Sequence, residues 1–284
     1  MLPGDAVAAA YQEACLAELA ALKPGNVHVF APGHDMTTAQ FEASATASSS
    51  VMGERGLAVG ARIFGAIERT RQVVDCNTNL GIVLLCAPLA QAAMSPAPGE
   101  LRGRLRRVLD ELDVADAKQA FAAIRLAQPG GLGTAPENDI RQPATVPLSV
   151  AMAGAAARDR IAEQYATGFA DVFEIGVARL RSGLSRWTGE HWATTFAYLG
   201  FLARLPDSHV ARKFGIERAQ AVCTAARPFE TLMQDAGDPE HIAPRLLAFD
   251  AELKSVGVNP GTSADLTVAS LFALRLQDRE IGPC

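Results

Sequence analysis

The chain has 284 residues, of which 49% are hydrophobic and 20% charged, and it carries a formal net charge of −5. A disordered chain shows the opposite balance, and a duplex-binding protein shows a basic excess, so neither class is expected here. A local basic pocket for one phosphorylated metabolite stays compatible with a negative total.

The length allows one large domain or two small ones. Five cysteines, Cys15, Cys76, Cys86, Cys223 and Cys284, form no CxxC pair. Cys15, Cys86 and Cys223 sit among Ala, Leu and Val, which reads as small buried hydrophobes in a reducing cytosol rather than a disulfide framework or zinc site. Asp5 and Glu13 stand where a secretory leader would carry positive charge, so a cytoplasmic protein is expected. The uncharged stretch Cys76 to Gly99 contains Asn77, Thr78, Asn79, Pro88 and Gln91. That makes it a buried helix rather than a membrane span.

Helical periodicity recurs along the chain, and runs of β-branched alternation are scarce. Val7 to Leu22 is the first predicted helix, ended by Lys23-Pro24-Gly25. Thr38 to Met52 follows, with Thr37 or Thr38 as its cap. Leu57 to Val74 is the third. Asn77 to Met94 is apolar around its circumference and should be central. Leu101 to Leu112 is basic and amphipathic, and Val114 to Gln128 takes Asp113 as its cap. Leu148 to Tyr165, Gly168 to Arg181, Glu190 to Leu205, Ile216 to Ala226, Pro239 to Leu253 and Ala264 to Leu276 complete the set. The expected fold is all-α, one compact multi-helix domain over residues 1–284 with about a dozen helices and long functional loops. The Pro/Gly turn from Ser95 to Gly99 follows a helix too apolar to end a free domain.

Four loops are rich in Gly, Pro, His, Asn and Asp: Lys23 to Met36, Asp75 to Gly81, Gln128 to Pro143 and Gly257 to Asp265. Long loops on a helical scaffold are where sites are built. Several stretches admit two readings. Lys23-Pro24-Gly25-Asn26 is either a helix C-cap or a backbone bend that meets a ligand beside a lysine. His28, His34 and Asp35 are either local turn bonds or general-base or metal candidates. Asn77-Thr78-Asn79 either caps a helix or offers its start to a phosphate. Gly130 to Gly133 with Asp139 is a flexible acidic loop that matches neither a Walker nor a Rossmann fingerprint.

Arg158 to Tyr165 brings charge onto an Ala/Met helix. Arg158, Ala162 and Tyr165 share one face, and Asp159 and Glu163 share the next. With Asp171 on the following helix, two carboxylates would face one pocket and suit Mg²⁺, unless they form a structural ion-pair network. Asp207 to Lys213 supplies an acid, a histidine and two bases. Asn259 to Asp265 is a glycine turn feeding a helix, with Thr262 or Ser263 as cap. Each of these last two binds a phosphate or amide, or is simply a corner.

Taken in order, the runs KPGNVHVFAPGHDM, NTNLG, GGLGTAPENDIR, AARDRIAEQYATGFADVF, LPDSHVARKFG and NPGTSADL resemble the triphosphoribosyl-dephospho-CoA synthase family from about Glu18 to Phe272. The resemblance implies an all-α fold and an ATP-dependent transferase. In this family the 2'-hydroxyl of 3'-dephospho-CoA attacks the ribose C1 of ATP, adenine leaves, and the triphosphoribosyl group is transferred. Such chemistry needs cationic or N–H donors for the triphosphate, carboxylate charge near the oxocarbenium-like centre, and groups that move protons.

On that reading Lys23, Arg158 and Arg212 contact phosphates. Asp35, Asp139, Asp159 and Asp171 are candidates for Mg²⁺ ligation or the base, and His34 and His209 for proton transfer. Gly25, Asn26, Asn77, Thr78 and the turn at Gly261 and Ser263 hold backbone or base edges. ATP and a phosphorylated acceptor are the expected partners, with no nucleic acid and no membrane, and an Ala/Leu-rich helical surface suits a homodimer.

One motif departs from the pattern. Well-known members carry Asn-Thr-His-Lys-Gly where this chain reads Asn77-Thr78-Asn79-Leu80-Gly81, and two loops look like a divergent archaeal or methylotroph branch. Two further readings follow from this. One is a related transferase acting on a different acceptor in one-carbon carrier (methanopterin- or methanofuran-type) cofactor biosynthesis. The other is a non-catalytic nucleotide-binding protein. The remaining ionisable groups, including Asp265, favour an enzyme.

Overall fold

The computed structural model describes residues 1–31, 36–131, 133–135 and 137–281. Among these are fourteen α-helices, one π-helical and one 3-10 segment, and no strand beyond an isolated bridge between His28 and Ala31. The all-α expectation holds. No helix among the described residues is long and apolar enough to cross a membrane.

The first half runs α1 (Gly4–Leu19), α2 (Thr38–Met52), α3 (Val59–Val73), α4 (Leu80–Met94), α5 (Leu101–Asp110) and α6 (Val114–Ala127). Two of these begin at predicted caps, Thr37 and Asp113, and each cap is one half of a capping box. Thr37 and Gln40 exchange bonds at the start of α2, and Asp113 and Asp116 do so at α6. Each box satisfies two otherwise orphaned N–H groups.

The second half runs α7 (Leu148–Ala155), α8 (Arg160–Thr167), a π-helical turn (Val172–Val177), α9 (Ala178–Arg186), α10 (Glu190–Leu202), α11 (Ser208–Phe214) and α12 (Ile216–Asp235). A 3-10 turn (Pro239–Ile242), α13 (Ala243–Ser255) and α14 (Gly261–Ile281) follow.

Helices α4 and α14 are the buried centre. Twelve of the fifteen α4 residues are buried, matching its all-round apolar sequence. They anchor one hydrophobic cluster with α1, α3 and α6. A second cluster gathers Trp187, Trp192, Tyr198, Phe249 and the inner faces of α12 and α13. Helix α10 serves both, with Ala193, Ala197 and Phe201 in the first and Phe196, Leu199 and Leu202 in the second. Cys15, Cys86 and Cys223 are buried free thiols, as expected, and burial pushes the thiols of Cys15 and Cys86 up. Cys284 lies outside the described residues.

Proline inside a helix leaves the carbonyl four residues back without its N–H. In α4 that is the Leu84 carbonyl behind Pro88, and the buried Tyr165 hydroxyl donates to it at 2.6 Å. Removing the hydroxyl in Tyr165→Phe is expected to cost about 1–3 kcal/mol in urea unfolding. An unchanged midpoint would show that another group reaches the carbonyl. In α12 the same problem arises at Pro228, which is exposed, so water can meet the freed carbonyl. The helix therefore runs on to Asp235 instead of stopping at Ala226.

Other predicted boundaries move for local reasons. Leu148 to Tyr165 is two helices, because Asp159 leaves helical geometry (φ −137°, ψ 118°) and its carboxylate caps α8 through Ile161 and Ala162 N–H. Arg158 thus sits before the helix and does not share a face with Tyr165. The predicted helix from Gly168 starts with residues 168 and 169 at positive φ, then a π turn. Helix α11, seven residues long, was not foreseen as a helix. Asp207 caps it through the N–H groups of His209 and Val210. Helix α4 begins at Leu80 rather than Asn77, so Asn77, Thr78 and Asn79 remain in the loop.

Candidate functional site

A cavity of about 310 Å³ opens where α4, α7, α8, α11 and α14 converge, with Pro129, Gly130, Gly133, Ala135 and Asn138 to Ile140 also lining it. That is the lower end of the range for small-molecule sites. Every motif run contributes to its wall: Asn26 from the first, Asn77 to Gly81 from the second, and Asp139 from the third. Arg158 and Asp159 come from the fourth, His209 and Arg212 from the fifth, and Asn259, Gly261 and Asp265 from the sixth. Ile82, Leu84, Phe121, Ile124, Met152 and Ile161 supply an apolar side.

Two glycines let titratable side chains reach this space. A Cβ on Gly81 would lie 2.5 Å from Asp265 Cγ and 2.8 Å from Ile161 Cδ1, and one on Gly261 would overlap the His209 ring. Neither position accepts a side chain without displacing a polar group of the cavity.

The charges are mostly paired. Asp159 caps α8 with one oxygen and meets Arg212 Nη1 at 2.6 Å with the other. The buried Arg212 Nε–H has no partner among the described residues. Arg158 is exposed and, among the described residues, reaches only the Gly154 carbonyl, at 3.3 Å. Asp139 accepts from Arg141 through both oxygens and from the Ala135 N–H, and the Arg141 guanidinium holds it well below the usual carboxylate range.

A polar cluster lies behind the second motif. Ser48 donates to the Ser44 carbonyl and Thr70 to the Ala66 carbonyl. Both hydroxyl oxygens are therefore left to accept from Asn79 Nδ2, at 3.4 and 3.0 Å. This fixes the amide so that Asn79 Oδ1 is an acceptor, and it is buried without a partner among the described residues.

Several sequence candidates fall elsewhere. Lys23 is fully buried, ion-pairs with Glu18, and does not line the cavity; Glu18 does. Gly25 bends at φ +83° with its N–H on Asp250 Oδ1 at 2.8 Å, outside the cavity wall. Ser263 gives its N–H and hydroxyl to Asp207 Oδ2, both at 2.8 Å, so it fastens α14 to α11. Asp171 is held by Arg160 and Gln164 away from the cavity, so it does not face Asp159 across one pocket. Arg160, Glu163 and Asp171 form the structural network instead. His34 and Asp35 lie outside the described residues.

Glu18, Asn259 and Asp265 also line the cavity, although the motifs assign them no role. Asn259 accepts from Asn26 Nδ2 at 2.8 Å and ties the first motif to the last. The signal for Asp265 was its place one turn into a helix that opens on Asn-Pro-Gly.

Asp139, Asp159 and Asp171 do not fit a preformed Mg²⁺ cage. Their oxygens are committed to arginines and N–H groups, and no cluster of three or more metal-ligating side chains occurs among the described residues. Octahedral Mg²⁺ needs open carboxylate oxygens.

An all-α scaffold that pools arginines, carboxylates and a histidine from six separate motifs over one half-apolar cavity is that of a small-molecule enzyme rather than a structural bundle. The family model for ATP:dephospho-CoA triphosphoribosyl transferase matches residues 4–282. The chain belongs to that transferase family.

A relative from Stutzerimonas stutzeri carries the name probable 2-(5''-triphosphoribosyl)-3'-dephosphocoenzyme-A synthase. It is 28% identical over 221 residues, 77% of this chain and 67% of that protein. A relative of the same name from Pseudomonas fluorescens is 32% identical over 117 residues, 40% of this chain and 39% of that protein. Among solved structures, one from Archaeoglobus fulgidus bearing the triphosphoribosyl-dephospho-CoA synthase name superposes with a TM-score of 0.62 at 24% identity. It covers 84% of this chain and 97% of that one. It supports the fold.

Proposed function

We propose that this cavity moves the triphosphoribosyl group of ATP to the 2'-hydroxyl of 3'-dephospho-CoA and releases adenine. The observation that carries the reading is the convergence of all six motif runs on one cavity lined by Arg212, whose Nε–H has no partner among the described residues. A guanidinium held by Asp159 on one nitrogen, with a free donor on another, suits a phosphate oxygen. Arg158 adds an exposed second cation.

The apolar side between Ile82 and Met152 takes the purine or the pantetheine arm. Asn77, Thr78 and Asn79 offer amide and hydroxyl groups to base or sugar edges, and His209 sits where it can exchange a proton. The Asp159 carboxylate places negative charge beside the ribose as positive charge develops at C1. Mg²⁺ belongs to the ATP triphosphate as part of the substrate, since the described carboxylates are already committed.

The test is mass spectrometry of purified protein with ATP, Mg²⁺ and 3'-dephospho-CoA. Free adenine and a triphosphoribosyl adduct are expected in equal amounts, and ATP binding without adenine release would overturn the reading. Arg212→Lys keeps a cation for Asp159 but lacks the Nε–H, and is expected to raise the KM for ATP by about 10-fold.

A further inference from the structure

We propose that Asp265 is the proton donor to the purine that leaves, a role that rests on the transferase reading above. The geometry sets this residue apart. Its side chain lines the cavity from the second turn of α14 and lies against Gly81 in the first turn of α4. The other described carboxylates of the cavity are engaged: Glu18 by Lys23, Asp139 by Arg141, and Asp159 by Arg212. Asp265 is partly exposed at the cavity wall, and no hydrogen bond or ion pair joins its carboxyl to another described residue. A carboxylate left without donors in a half-apolar wall is costly, and the neutral acid is the stable form there.

The surrounding charges act in the same direction. Burial pushes the Asp265 carboxyl well above its ordinary value, and the negative charges of Asp207, Glu18 and Asp159 add to this against the opposing pull of Arg212. Lys23, the Cys86 thiol and the His209 ring are the other titratable groups around it. An acid kept protonated near neutral pH can protonate a leaving group, as a bare carboxylate cannot.

In the step, the bond between ribose C1 and the purine breaks and its electron pair goes to the purine. The Asp265 proton passes to a ring nitrogen, so adenine leaves neutral and Asp265 becomes a carboxylate. The acceptor hydroxyl oxygen forms the new bond to C1 and loses its proton to water, from which Asp265 is reprotonated before the next turnover.

The experiment compares wild type and Asp265→Asn in adenine release from ATP and 3'-dephospho-CoA across pH. Wild-type turnover should fall as pH rises through the Asp265 ionisation. The variant should be slower by about 10²–10⁴-fold, without that limb and with a nearly unchanged KM for ATP. ATP methylated at N7 carries a base that departs without a proton. With it, the alkaline limb should vanish in wild type and the variant should approach the wild-type rate.

The infrared spectrum of wild type at neutral pH should contain a carboxylic-acid carbonyl band that is absent from Asp265→Asn. Equal rates with ordinary ATP, or an alkaline limb that persists with the methylated nucleotide, would overturn the assignment even if the variant folds poorly. Wild-type protein that releases no adenine would overturn the transferase reading and this role with it.

Discussion

Gly81→Ala is expected to slow adenine release by about 100-fold while leaving α4 in place. Position 81 is in the first turn of α4, where alanine is intrinsically the better residue by up to about 1 kcal/mol. The helix is therefore not the reason for glycine. The reason is the close approach of Asp265 and Ile161, whose Cγ and Cδ1 would stand 2.5 and 2.8 Å from the new Cβ. The backbone of α4 is buried and cannot retreat, so the carboxyl moves. Displacing a reacting group by about 1 Å costs on the order of 10²-fold in rate.

Overpacking of this kind also costs about 1–3 kcal/mol of stability. Adding Asp265→Ser to Gly81→Ala should recover that stability, because the smaller side chain makes room, but should not recover turnover. Turnover in Gly81→Ala equal to wild type would mean that the Asp265 carboxyl does no chemistry at the place it occupies.

The sequence makes the helices legible where one face, or every face, is apolar. The span Asn77 to Met94 reads as central because most of its circumference is apolar, and the starts of α2 and α6 are legible because Thr37 and Asp113 are strong caps followed by partners three positions on. It is silent where a polar side chain has two possible employers. Asp159 looks like one of several charges along a helix, and only the structure shows it outside that helix, capping the next one and holding Arg212.

Ser263 and Asp171 fail as site residues for the same reason: a hydroxyl or carboxylate near a motif is as useful for fastening helices as for binding substrate. Lys23 fails because a lysine after an apolar helix looks solvent-facing, and nothing local announces that Glu18, one turn earlier, draws it inward. The six runs together were informative because each loop that interrupts the periodicity ends at the same cavity. The only local mark of Asp265 is its place one turn into the helix that opens on Asn259-Pro260-Gly261, and what sets it apart from the other cavity carboxylates, the lack of a counter-ion among the described residues, is not written in the local sequence.

Lys23→Met is expected to lower stability by about 3–5 kcal/mol, the cost of leaving a buried charge without its counter-ion. Lys23 is fully buried and Glu18 nearly so. Burial pushes the lysine down and the glutamate up, each toward its neutral form, and their mutual attraction opposes both shifts. Without the ammonium, the buried Glu18 carboxylate loses its counter-ion.

The deficit therefore has a pH dependence of known sign. With its folded-state pKa raised above the unfolded value, Glu18 destabilises the variant fully at pH above the folded pKa. The penalty shrinks as pH falls toward the ordinary carboxylate value, where both states are protonated. Urea unfolding of Lys23→Met at a series of pH values checks this. A second substitution, Glu18→Leu, should restore most of the loss, since an apolar pair can replace a buried ion pair at little cost. The same proteins separate structure from binding: if Lys23 held the ATP phosphates, Lys23→Met would raise the KM for ATP without a matching loss of stability. The buried pair predicts the reverse, a large loss of stability with ATP still bound through Arg212 and Arg158.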